Sequence, residues 1–497
     1  MGSPPNSPAS GSQAPGSRSS RMPAASVLTK NQVVRYAAGS LGTGGFATLP
    51  GLVLVYYLTD SLGVTALAAG AVVTLAKIWD VLIDPVIGGL SDRSFARTGS
   101  RRRFMLIGAL GLPVAFTITF AVPGTLGPLP AAVWVLIAFI ASATFFSLFQ
   151  VPYIALPAEL TDGYRERTRL LTWRVVALTA AILLFGAGGP ELRGLFPGDP
   201  LLGYLVMAVV VAVVIGVGMV IAATVAPREA PHPVVETLTI GAHYRAGVLV
   251  LRQSQPFRML LATFMLQGLA TGLMLAAAQY VARWMLHDEN ALTPLFLSLI
   301  GPALLMAPVW QKVADRVGKE RAFRLASFVF LIAVIVLAGS ILWPGWWIIA
   351  PVALAGAAYA GMQTLPMAML PDVIAVDAAQ YPRTDRVTSH AGGRAGVFSG
   401  VWTAGETTGM ALGATVLALV LAATGYIESV AGQITTQPDA AITGIAISFS
   451  LIPAILMVLS IVTLARYRLR EADVNSARDG MSARADEEAP RDGEENL

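Results

Sequence analysis

Asp80 and Asp84 carry the clearest chemistry in this sequence. They lie in Lys77-Ile78-Trp79-Asp80-Val81-Leu82-Ile83-Asp84-Pro85-Val86-Ile87-Gly88-Gly89, a stretch that is otherwise almost wholly apolar. A spacing of four places both carboxylates on one face of a helix. At membrane depth an ionised carboxylate costs on the order of 3 kcal/mol on insertion scales. Two together cost more, because like charges destabilise each other's ionised form. A shared proton or a bound Na⁺ relieves that cost. The competing reading is an ion pair, with Lys77 or Arg174 as the partner.

Few other residues offer reactive chemistry. There is no cysteine, which excludes disulfides and thiolate metal sites. The four histidines (His232, His243, His287 and His390) show no metal-ligand spacing. No phosphate-binding P-loop is present, so neither a nucleotide nor another cofactor is expected. The only metal expected is Na⁺ at Asp80 and Asp84. Glu406 stands alone inside another apolar run, where it could carry a proton or pair with an arginine.

The setting of these acids follows from composition. Of 497 residues, 55% are hydrophobic and 13% charged, and the mean hydropathy is +0.66. Soluble domains carry about a quarter charged residues. Part of the solvent must therefore be lipid. A net charge of +4 could suggest nucleic acid. The basic residues instead fall in short clusters between apolar runs, without the interleaved aromatics of a nucleic-acid surface.

About 20 apolar residues cross the hydrocarbon core. Twelve such runs begin near 33, 65, 103, 131, 168, 200, 257, 292, 321, 346, 394 and 441. The first is expected to act as an uncleaved signal. Basic clusters follow the even-numbered runs: Arg93 to Arg103, Arg165 to Arg169, Arg316 to Arg324 and Arg383 to Arg394. That bias predicts that these loops and both termini are cytoplasmic. The expected organisation is a disordered tail (1–30), a first six-helix half (31–226), a polar cytoplasmic linker (227–256), a second half (257–470) and a disordered acidic tail (471–497).

The halves repeat one another. Leu90-Ser91-Asp92-Arg93 ends the second run, and Val313-Ala314-Asp315-Arg316 ends the eighth. Pro152 and Pro157 are matched by Pro366 and Pro371 at the same spacing. Two parallel halves of six helices predict an all-α membrane protein of the major facilitator fold, with a solute site between them near the midplane. Aromatic residues such as Tyr56, Tyr57, Trp343, Trp346 and Trp347 are expected as interface anchors.

Trp79-Asp80, Asp84-Pro85 and Gly88, followed by Asp92-Arg93 and Arg101–Arg103, resemble helix 2 of the glycoside–pentoside–hexuronide:cation symporters, the melibiose permease family. Tyr36 to Gly42, Tyr56 to Asp60, Met369 to Asp377 and Gly393 to Gly400 agree, so the resemblance spans about 33 to 468. It implies a monomeric carrier that couples Na⁺ or H⁺ to symport of a small solute. High Ala, Gly and Arg with little Lys point to a bacterial source, and so to the inner membrane. By resemblance, Asp84, Asp80 and the helix 4 hydroxyl Ser147 bind the cation. Asp80 also serves the solute, and Arg174 neighbours it. The sequence departs from the family pattern at Gly44 and Gln150, where the family has acids, and at Thr407, where it has lysine. A solute site of Gly44, Gln150, Trp173, Trp402, Thr403 and Thr407 is thus less charged. It would suit a glycoside with an apolar aglycone or a lipid-like solute. Asp92, Arg93, Arg101, Glu159, Asp315, Arg316 and Arg394 are the expected cytoplasmic gate, with Lys319 and Asp162 beside them. A lysolipid carrier, a proton-coupled drug exporter, and a membrane enzyme or scaffold are the alternatives.

Overall fold

The computed structural model describes residues 28–161, 164–226, 240–380, 393–433, 435–469 and 476. The expected disorder of both tails lies outside these residues. Among the described residues, twelve helices are long and apolar enough to cross a bilayer. In the first half they are α1 (Lys30–Ser61), α2 (Ala66–Thr98), α3 (Arg102–Phe120), α4 (Pro128–Pro157), α5 (Glu166–Gly194) and α6 (Pro200–Ala223). In the second they are α7 (Gln255–Met285), α8 (Glu289–Val317), α9 (Lys319–Ile341), α10 (Trp346–Asp377), α11 (Val397–Ala423) and α12 (Asp439–Ala465). Every one matches an apolar run of the sequence. The linker region is not wholly extended: it holds a further helix, Ile240–Gln253.

The repeat is visible in the packing. In the first half α2 packs on α4, α1 on α5, and α3 on α4 and α6. In the second half α8 packs on α10, α7 on α11, and α9 on α10 and α12. Each pair recurs six helices later, which is the major facilitator arrangement. The halves meet where α2 runs along α11, α5 along α8 and α1 along α7.

Local sequence sets the ends of the helices that matter most. Thr65 caps α2 by accepting from the Ala68 amide. Gly99 closes it at φ 65°, and its N–H donates to the Phe95 carbonyl. Gly318 ends α8 in the same place of the repeat, also at positive φ (88°) but with ψ 150°, and its N–H donates to the Ala314 carbonyl. Pro152, Pro366 and Pro371 lie inside helices rather than at their ends. Tyr56 and Tyr57 are buried, which corrects their expected place as interface anchors, whereas Trp343, Trp346 and Trp347 are exposed.

Candidate cation and solute site

α2 and α4 pack side by side. The Trp79 indole N–H donates to Thr144 Oγ1 at 2.8 Å and pins their register. One turn further along α4, Ser147 is 1% exposed, and its hydroxyl donates to Asp80 Oδ1 at 3.2 Å. The other Asp80 oxygen lies 3.4 Å from Lys77 Nζ. Asp80 itself is only 7% exposed. Asp84 lies one turn on, within electrostatic reach of Asp80, Ser147 and Lys77. Thus the two acids and the hydroxyl named from the sequence converge. Lys77 balances one charge of the pair, and no described cation forms an ion pair with Asp84. Arg174, the other partner considered, is placed elsewhere: its guanidinium lies over the Tyr153 ring, 5.4 Å from the centroid. The arrangement offers hard oxygen donors with one negative charge in excess, which suits a proton or a small monovalent cation.

The expected solute residues divide into two groups. Gln150 lies one turn beyond Ser147 and accepts from Thr43 Oγ1 of α1 at 2.7 Å, which links α1 to α4. Thr403 is exposed and Thr407 half-buried, one turn apart on α11. Trp173 is 52% exposed. Two others lie apart from any open surface. A Cβ on Gly44 would stand 2.6 Å from Ala181 Cβ of α5, so this glycine serves close helix packing. Trp402 is 2% exposed and stacks on Phe264 of α7 at 4.6 Å, inside the second half. Glu406 lines a pocket between α7, α10 and α11.

At the end that bears the termini, charges pair within each half. Arg101 holds Asp92 at 2.6 Å, closely contacts Glu159 and donates to Ser91 Oγ at 2.9 Å. Its side chain is 12% exposed. Burial opposes its charge, but the Glu159 and Asp92 carboxylates outweigh that and hold its pKa above the ordinary value. In the second half Lys319 Nζ sits 2.5 Å from Asp372 Oδ2 and donates to the Ala368 carbonyl at 3.0 Å. Asp372 was not among the residues expected in this charge cluster. The available signal was its position directly after Pro371, near the place where Glu159 follows Pro157. Arg93, Asp315 and Arg316 are exposed and form no ion pair with a described residue. The side chains of Arg394 and Asp162 lie outside the described residues.

At the far end the halves are joined, a feature the sequence reading missed. Tyr426 Oη, in the loop between α11 and α12, donates to Asp60 Oδ1 at 2.6 Å. Burial and the Asp60 charge both push the Tyr426 pKa up, so it remains a donor. Thr59 Oγ1 meets Tyr280 Oη of α7 at 2.6 Å. Backbone bonds run from Ser429 N to Thr59 O and from Ala431 N to Ser61 O, both 3.0 Å. Glu428 Oε1 accepts from the Ala66 amide at the α2 N-terminus, at 2.9 Å. Thr74 and Thr415 join α2 to α11 at 2.5 Å.

Known proteins agree with this architecture. A family model described as MFS/sugar transport protein matches residues 35–471. An uncharacterized symporter of Synechocystis is 25% identical over 90% of this chain and 96% of its own. A glucuronide carrier protein homolog of Escherichia coli is 25% identical over 89% of this chain and 93% of its own. A putative sulfoquinovose importer of Salmonella typhimurium is 30% identical over 37% of this chain and 39% of its own. Among solved structures, a D-xylose-proton symporter superposes with a TM-score of 0.65 at 13% identity, covering 88% of this chain and 98% of that one. With a match over most of its length and twelve apolar helices in two repeating halves, the chain belongs to the MFS/sugar transport family of the major facilitator superfamily, among the glycoside–pentoside–hexuronide:cation symporters.

Proposed function

We propose that this protein is a secondary active symporter for a glycoside or another sugar derivative, driven by a monovalent cation bound at Asp80, Asp84 and Ser147. The observation that carries the reading is the convergence of both α2 carboxylates on Ser147, with only one of them ion-paired. Cation binding there would remove the uncompensated charge and tighten α2 against α4. Gln150, one turn along α4 and bonded to α1, would pass that tightening to the solute side. Coupling of this kind is reciprocal, so solute must also tighten the cation. Asp80, Gln150 and Arg174 are the proposed solute contacts of the first half, with Thr403 and Thr407 those of the second. The basic clusters after the even helices support cytoplasmic termini, and the bacterial relatives support an inner-membrane location.

The near-neutral solute side favours a second reading, an amphiphile with a large apolar part. Uptake into vesicles holding the protein separates the two, using a panel of glucuronides, other glycosides and lysolipids under a Na⁺ or a proton gradient. The reading requires gradient-dependent accumulation of a glycoside. Binding of lysolipids alone, indifferent to either gradient, would replace it with the amphiphile carrier.

A further inference from the structure

α7, α10 and α11 surround a small pocket inside the second half. Gln267 and Thr271 line it from α7, Tyr359 and Gln363 from α10, and Glu406 from α11. Methionine and phenylalanine side chains complete the wall. Gln267 is 2% exposed. Its amide nitrogen donates to Ser327 Oγ of α9 and to Ser460 Oγ of α12, both at 2.9 Å. Those two bonds fix the amide and leave Oε1 buried without a donor. An unmet buried carbonyl is destabilising. Thr271 does not supply the donor, since its hydroxyl bonds the backbone carbonyls of Gln267 and Gly268. Tyr359 Oη accepts from Gln363 Nε2 at 2.6 Å.

Glu406 forms no ion pair with a described residue. The surroundings of α11 offer little charge to balance it. From α10 the Tyr359 phenol and the neutral Gln363 line the pocket with it, and from α7 the neutral Gln267 and Thr271. On α2, Lys77 pairs with Asp80, and Asp84 is a further acid. α1 has Lys30 and Arg35 at one end and Asp60 at the other, and α12 has only Asp439 at its start. The linker helix contributes Arg245 and Arg252, both exposed. The pocket therefore holds a carboxyl group without a counter-charge and a carbonyl without a donor.

We propose that Glu406 is held protonated here and donates that proton to Gln267 Oε1, making the pocket a proton site of the second half. One proton would neutralise the acid and supply the missing donor together. Loss of the proton to solvent water would restore both defects, so occupancy would bias how α11 packs on α7. The site stands independently of cation binding at Asp80 and Asp84.

Infrared difference spectra of the full-length protein in detergent, recorded through a pH titration, test this. The expected result is a protonated carboxyl C=O band at neutral pH. It persists in Asp80→Asn/Asp84→Asn, disappears in Glu406→Gln and moves to higher frequency in Gln267→Leu. Glu406→Asp, which keeps the acid, should retain a band and serves if Gln267→Leu does not fold. A band unchanged in folded Glu406→Gln would overturn the proposal. So would a band that vanishes in the double aspartate variant alone. If Na⁺ raises the unfolding temperature of the double variant and Glu406→Gln removes that rise, the pocket holds a metal cation and the proton assignment fails.

Discussion

The two ends of the bundle differ in how they use polar groups. At the far end, bonds cross between the halves: Tyr426 to Asp60, Thr59 to Tyr280, and Glu428 to the α2 N-terminus. At the end bearing the termini, ion pairs stay within one half: Arg101 with Asp92 and Glu159, and Lys319 with Asp372. Bonds that cross must break when the halves rock, whereas bonds within a half survive the motion. In the proposed transport cycle the far end would thus act as a closed gate and the other end as a pair of rigid braces. The difference identifies the conformation as one closed at the far end. It also separates the residues that set the conformational equilibrium from those that hold each half together.

The largest effect should come from breaking a brace. Arg101 is nearly buried between two carboxylates, and removing one partner of such a group costs about 3 kcal/mol or more. Arg101→Ala should lower thermal stability in detergent strongly. Lys319 is far more exposed, so Lys319→Ala should cost at most about 1 kcal/mol. Equal losses would mean that the braces are not set by burial.

A smaller effect is expected at the gate. Tyr426→Phe deletes the donor to buried Asp60 and should weaken the far-end closure by about 1.5 kcal/mol, roughly a tenfold change in population. The chain has no cysteine, so a spin-labelled pair at Thr125→Cys and Gln433→Cys reports the far-end distance directly. A distribution unchanged by Tyr426→Phe would remove this bond from the gate.

The smallest effect is expected at the solute side. Gln150→Ala should weaken solute binding by a factor of about 5, the worth of one hydrogen bond, and leave cation affinity nearly unchanged. Calorimetric titration with a transported glycoside measures both. An unchanged solute Kd would move the pocket away from α4.

The fold was legible because a bilayer imposes a length on every helix, and the Asp92 and Asp315 motifs exposed the repeat. The convergence of Asp80, Asp84 and Ser147 was legible for the same reason: acids inside apolar runs need an explanation. Gly44 and Trp402 were harder, because their roles depend on which face of a helix meets its neighbour. That face was set by Ala181 for one and by Phe264 for the other. The far-end gate was illegible, since Asp60 and Tyr426 are 366 residues apart and neither lies in a charged motif.

The central claim is that the α2 pair binds the coupling cation. Thermal unfolding of wild type and Asp84→Asn in detergent tests it, with Na⁺ and pH varied at constant ionic strength. A ligand that binds only the folded protein stabilises it by about 2.7 kcal/mol at a hundredfold excess over Kd. The account predicts that Na⁺ or protons raise the unfolding temperature of wild type and that Asp84→Asn, still folded, loses that response. A variant that responds as wild type does, or a wild type indifferent to both ions, would contradict it.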